Sequence, residues 1–114
     1  MRAYWSAIDA ADWDGVAALL ADTFTAHYPA SAEHFDAAGF VHLNAAYPGR
    51  WRAEVLDLLA DDDRVVTRAR VDDGSEAHVV ASFATVTDGR LARLVEVWAE
   101  EGDIPPADRR PASS

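Results

Sequence analysis

The sequence predicts an α+β domain, helices first and a curved antiparallel sheet after them, on three observations. Apolar residues recur at helical spacing only in the first part of the chain, up to Tyr47. From Trp51 to Glu100 the residues fall into four β-type runs separated by turn residues. The last two runs flank Asp88-Gly89. Asp-Gly between apolar stretches is the strongest short-range hairpin signal, because a tight hairpin turn needs positive φ. Helices followed by strands, with no alternation of the two, point to α+β.

The elements follow in order. Arg2 to Ala11 places Tyr4, Ala7, Ile8 and Ala11 at helical spacing. That helix is too short to stand free and must be held by packing. Asp12 stands as the N-cap of a second helix, Trp13 to Ala21, with Val16, Leu19 and Leu20 inward; Gly15 weakens it slightly. Thr23 to Tyr28 reads as a short strand, Pro29 to Ala32 as a turn and Glu33 to Phe35 as a short return strand. Asp36 caps a third helix, Ala37 to Tyr47, with Phe40, Leu43 and Tyr47 as its buried stripe and Pro48-Gly49 as its stop. Trp51 to Ala60 has leucines that suit a helix. The acidic turn Asp61 to Asp63, leading into the plainly β-type Arg64 to Val71, decides for a strand. Asp72 to Gly74 turns the chain into the closing hairpin, Ser75 to Glu100. Its arms bring Val79, Val80, Phe83 and Val86 against Leu91, Leu94, Val95 and Trp98. One domain is expected over residues 1–101, and a mobile tail of Pro, Ala, Ser and charge over 102–114. A curved sheet with about three helices on its concave face leaves a cone between the layers, and such a cone holds apolar ligands.

Composition narrows the function. The 114 residues are half hydrophobic, enough for one small core. A formal charge of −10 argues against nucleic acid and against anionic membrane surfaces. No apolar run approaches the ~18 residues of a membrane span, and Met1-Arg2 leads directly into an amphipathic stretch, so a cytoplasmic protein is expected. There is no cysteine, which excludes disulfides, thiol nucleophiles and zinc–thiolate sites. All ten basic residues are arginine, which excludes a Schiff base on a lysine side chain. No Gly-rich loop precedes a helix, and Ser6, Ser31, Ser75 and Ser82 lack a nucleophile-elbow context. No cofactor is expected.

The run Tyr4-Trp5, Ala10 to Val16 and Leu19 to Asp22 resembles the opening of nuclear transport factor 2-like proteins in the SnoaL-like and ketosteroid-isomerase branch. Asn44 to Gly49 with Trp51 fits the same branch. Ser82-Phe83, Asp88 to Leu91 and Glu96 to Trp98 resemble its closing hairpin, and Pro105-Pro106 with Arg109 the tail of some members. The resemblance covers about nine-tenths of the chain and rests on the order of these segments together. It implies the cone fold (a cystatin-like roll), a pocket at the cone's mouth and a homodimer through the outer sheet face. The superfamily holds isomerases, cyclases, epoxide hydrolases, dioxygenase small subunits and non-catalytic binders, so the fold alone does not choose an activity. In the ketosteroid isomerases a first-helix Tyr is an oxyanion donor, and Tyr4 falls there. Their general-base Asp falls on Tyr28 before Pro29, and their second donor on Ala81. A phenol offers no lone-pair base at neutral pH, so ketosteroid isomerisation of the usual kind is rejected. The polar Asp, Arg, Asp set of the epoxide hydrolases is matched only in part, by Arg68 or Arg70 with Glu96.

Glu96 is the first candidate. It lies two residues from Trp98 on a strand, so both share a face, and the resemblance turns that face into the cone. There a carboxyl would have a raised pKa and could act as general acid or base, with Tyr4 and Tyr28 as donors. The alternative is a cross-strand ion pair with Arg68 or Arg70. Those two arginines could instead grip an anionic ligand group, or form a solvated ion-pair ladder. His27 and His34, with Asp36, could hold a metal, but the spacing matches no standard signature and none is expected. His78 could carry protons near Glu96 or lie on the surface. Trp5, Trp51, Phe83 and Trp98, with His27, Arg68 and His78, complete the expected ligand wall; ordinary core packing is the competing account of the aromatics. Two readings follow. One is a binder of a small apolar organic molecule, extended to cofactor-free isomerase, cyclase or hydratase chemistry. The other is a non-catalytic dimerisation or interaction module whose cone is filled by side chains. The volume of the cone separates them.

Overall fold

The computed structural model describes residues 1–102. The expected tail therefore lies outside the described residues, apart from Gly102. Three helices, α1 (Arg2–Asp9), α2 (Trp13–Ala18) and α3 (Ala37–Ala46), cover one face of a six-stranded curved, unclosed sheet. Its strands are β1 (Leu20–Tyr28), β2 (Glu33–Asp36), β3 (Arg52–Asp61), β4 (Arg64–Asp72), β5 (Ala77–Thr87) and β6 (Arg90–Glu100). The order across the sheet is β2-β1-β6-β5-β4-β3.

Local chemistry explains the breaks. The Asp12 carboxylate accepts the Gly15 N–H at 3.0 Å, and Asp36 accepts that of Gly39 at 2.7 Å, so both predicted N-caps form. The hairpin turn has positive φ at both central residues, Asp88 (52°) and Gly89 (76°), the geometry that matches strand twist. Three expectations change. The second helix ends at Ala18, and its last predicted turn becomes the start of a longer β1. The sheet is mixed: β1 runs parallel to β6, pairing Ala26 with Leu94 and His27 with Val95, a long-range contact that no local pattern encodes. Tyr47 is the C-cap of α3 and is exposed, because the chain leaves the helix there toward Pro48.

The core lies between helices and sheet. Tyr4, Trp5 and Ile8 of α1, Val16 of α2 and Phe40 of α3 pack on Phe24, Ala69, Val80, Ala84 and Leu94 of the strands. Two polar ties hold α1 in place. The Trp5 indole donates to Thr67 Oγ1 on β4 at 2.9 Å, fully buried. Asp9 receives Arg52 through Nε at 2.8 Å and Nη2 at 3.0 Å, and the Ala53 N–H at 2.8 Å. The Arg52 hydrogen bonds, then the Ala53 N–H, hold the Asp9 carboxyl down to about 2.

Candidate functional site

A cavity of about 460 Å³ opens between the helices, the Pro48–Trp51 loop and the inner face of β5 and β6. All four tryptophans, Trp5, Trp13, Trp51 and Trp98, line it. Aromatic rings form a continuous wall on one side: Tyr47 to Trp51 at 6.0 Å, Trp51 to His78 at 5.7 Å and His78 to Trp98 at 6.1 Å between centroids.

Glu96 is its buried acid. A bulge in the hairpin decides that placement. Val86 pairs with Leu91, but Thr85 pairs with Arg93, so β6 carries one extra residue there. Strict alternation from the inward Leu91 would turn Glu96 outward. The extra residue instead sends Leu94, Glu96 and Trp98 inward and sets Glu96 directly opposite Ser82. Ser82 Oγ donates to Glu96 Oε2 at 2.8 Å, and the Tyr4 hydroxyl donates to the same oxygen at 3.4 Å. Tyr28 presents its hydroxyl to this carboxyl from the end of β1. Burial raises the Glu96 pKa to about 7; the bonds from Ser82, Tyr28 and Tyr4 pull the other way without cancelling it. Burial, and after it the charge of Glu96, pushes both tyrosine hydroxyls up, so they remain donors at neutral pH. The arrangement can hold a proton, release it and take it back, beside a cavity walled by aromatic rings.

The structure brings Glu96, Tyr4, Tyr28, Trp5, Trp51, His78 and Trp98 to the one cavity. It does not bring His27, Arg68 or Phe83 there: all three lie on the convex face of the sheet. Phe83 alternates with the inward Ser82 and Ala84, and is 44% exposed. Arg68 pairs with Asp57 at 2.6 Å, and Arg70 with Glu101 at 2.8 Å. Neither arginine reaches Glu96, so the ion-pair alternative for the acid falls, while the surface-pair reading of the arginines stands. His27 stacks face to face on His34, centroids 4.1 Å apart, and Asp36 is committed to capping α3. His78 lines the cavity but sits four residues along β5 from Ser82, the partner of Glu96, or ~13 Å at strand spacing, too far to hand it a proton directly. Ala81 also faces outward; the inward residues beside it are Val80 and Ser82, neither an acid. Sequence reasoning missed Ser82 as the partner of Glu96, together with Asn44 and Arg50 as lining residues. Counting back from the Asp88-Gly89 turn pairs Ser82 with Val95 unless the bulge is known.

The fold is that of the nuclear transport factor 2-like cone proteins. The chain belongs to the SnoaL-like domain family, which it matches over residues 1–94. A candidate ketosteroid isomerase from Kribbella flavida is 31% identical, with a TM-score of 0.84, over 97% of this chain and 87% of that one. An LEH-like epoxide hydrolase from M. tuberculosis (20% identity, TM-score 0.72, 86% and 78% covered) and IdmH, a candidate polyketide cyclase from Streptomyces antibioticus (17%, 0.72, 85% and 87%), share the fold. No match is found among curated proteins. Among the described residues no helix is long and apolar enough to cross a membrane.

Proposed function

We propose that this protein binds an apolar, aromatic-bodied organic molecule in the cone and exchanges a proton with it through Glu96, without a cofactor, in chemistry of the isomerase, cyclase or hydratase type. The observation that carries this is a buried carboxyl with a pKa near 7 on the wall of a 460 Å³ cavity. A cavity of that size lies in the usual ligand range and favours this reading over a filled interaction module. A general base works best when its pKa lies near the operating pH. Ionised Glu96 takes a proton from the ligand and returns it at a second position, so no net proton is consumed. Tyr4 and Tyr28, kept protonated, donate hydrogen bonds to oxygen charge that develops meanwhile. The neighbours described as isomerase, cyclase and epoxide hydrolase fit a cone used for such work, but this acid stands on β6, not at the end of β1 where the isomerases carry their base. A homodimer through the convex sheet face belongs to the same reading. Leu59, Val66, Phe83 and Val95 are successive cross-strand partners there, and form an apolar row over four strands.

The test is a thermal-shift screen of wild type and Glu96→Gln against enones, epoxides, lactones and aromatic acids, since a ligand of the native state raises the melting temperature. The expected result is a chemotype that stabilises the wild type and is turned over by it, with turnover abolished in folded Glu96→Gln. Unchanged turnover in that variant ends the assignment of Glu96, and no stabilising chemotype at all moves the weight to the interaction module.

A further inference from the structure

The sequence suggested Arg68 and Arg70 as a grip for an anionic ligand group, and the structure places both on the far side of the sheet. The arginine it brings to the cavity is Arg50. We propose that Arg50 is the anchor for an anionic group, a carboxylate in the simplest case, on a ligand whose aromatic body fills the cone. This rests on the ligand-binding reading above and narrows its substrate class.

The loop that carries Arg50 is built to hold it. Pro48 ends α3, and Gly49 turns the chain at φ 98°, a conformation that side chains rarely tolerate. A Cβ on Gly49 would also meet the Trp51 indole nitrogen at 3.1 Å. That nitrogen donates back to Pro48 O at 2.9 Å and locks the turn. Arg50 then donates through Nη1 to Trp51 O at 2.6 Å and through Nη2 to Asp9 O at 2.7 Å. Two of the five guanidinium N–H bonds are thus spent on carbonyls, which fix the group without a carboxylate in hydrogen-bond contact, although its charge still acts on Asp9. The Asp9 carboxylate is occupied by Arg52 and the Ala53 N–H, and Asp73, beside Gly49, takes the N–H groups of Ser75 and Glu76. Among the described residues no carboxylate stands within 4 Å of Arg50; Arg2, Arg64, Arg90 and Arg93 also lack one, but of these only Arg50 lines the cavity.

The other ionisable groups on the cavity wall set the orientation. Glu33 and Glu96 come from the strands, and His78 from the aromatic wall, where Glu76 is its neighbour at 3.9 Å. An anionic group is repelled by Glu33 and Glu96 and attracted to Arg50. A ligand with one anionic end therefore enters with that end at the mouth beside Arg50 and its opposite end toward Glu96. The guanidinium, pre-positioned by two hydrogen bonds, suits a planar carboxylate.

The experiment compares 2-naphthoate with 2-naphthamide, equal in shape and differing in charge, by isothermal titration calorimetry. The wild type should bind the anion roughly five- to tenfold more tightly, and added salt should weaken the anion alone. Arg50→Gln should lose that preference while holding 2-naphthamide as before; Arg68→Gln, on the convex face, should keep it. If Arg50→Gln does not fold, the salt dependence of the wild-type preference still decides. Equal affinities in the wild type, or a preference that survives Arg50→Gln, overturns the anchor and leaves the ligand-binding reading standing. Binding of neither probe overturns the anchor for an aromatic-bodied carboxylate, and the chemotype screen then decides the ligand-binding reading by itself.

Discussion

Ser82 and Glu96 face each other only because β6 carries one extra residue, and that contact tempers the pKa that burial raises. Replacing Ser82 with Ala removes a donor to the ionised form, so the Glu96 pKa should rise further above 7; a titration of the carboxyl carbon by NMR reads it. The raised pKa is also a stability statement. The native state binds this proton more tightly than the unfolded chain does. Stability is therefore fully present below the ordinary pKa of 4.5 and falls as pH rises through about 7, by roughly 3 kcal/mol in all. Glu96→Gln cannot ionise. Its stability relative to wild type should improve by about that amount between pH 4 and pH 8, measured by urea denaturation at each pH. A constant difference across that range would contradict the buried, titrating acid. The residue type and its neighbour Trp98 were legible in the sequence. The face came only from the family resemblance, which turned it into the cone where the structure places it; alternation alone could not give it, because it is a local rule and a bulge breaks it without a residue signature strong enough to read.

At the scale of elements, α1 is a short helix that supplies Tyr4 and Trp5 to the core and one wall of the site. Bonds from Trp5 to Thr67 on β4, from Arg52 and Ala53 on β3 to Asp9, and from Arg50 to the Asp9 carbonyl hold it. Thr67→Val keeps the shape at the base of β4 but strips the Trp5 indole of its acceptor, and a buried unpaired donor costs about 1–3 kcal/mol. The expected outcome is a loss of that size in denaturant unfolding, and no change in stability would show that α1 is held by packing alone. The Asp9 tie to β3 behaves differently with pH. Its pKa is depressed, so its contribution is present above about pH 4 and lost as pH falls through about 2. Helix caps, the hairpin turn and the order of elements could be read from the sequence because each depends on a few adjacent residues, such as Asp12, Asp36 and Asp88-Gly89. The parallel pairing of β1 with β6 could not, since its partners, such as Ala26 and Leu94, lie 68 residues apart and neither strand's pattern names the other.

For the whole molecule, the two faces of one sheet divide the work. The concave face carries the cavity, and the convex face carries the apolar row through Phe83 and Val66, flanked by the Arg68–Asp57 and Arg70–Glu101 pairs. The proposed homodimer predicts that Phe83→Glu yields monomers in sedimentation, with the fold and the Glu96 titration unchanged; a wild type that is already monomeric removes the dimer from the account. Phe83 and Arg68, expected on the ligand wall, lie on the convex face, because each strand has two faces and composition does not say which one the helices cover. The most direct test of the central claim, that the cone holds a proton-exchanging carboxyl, is the titration midpoint of Glu96, followed by NMR and assigned with Glu96→Gln. The expected midpoint is near 7. A midpoint at the ordinary 4.5 would mean that water reaches the carboxyl freely, and the buried acid on which the proposed chemistry rests would be gone.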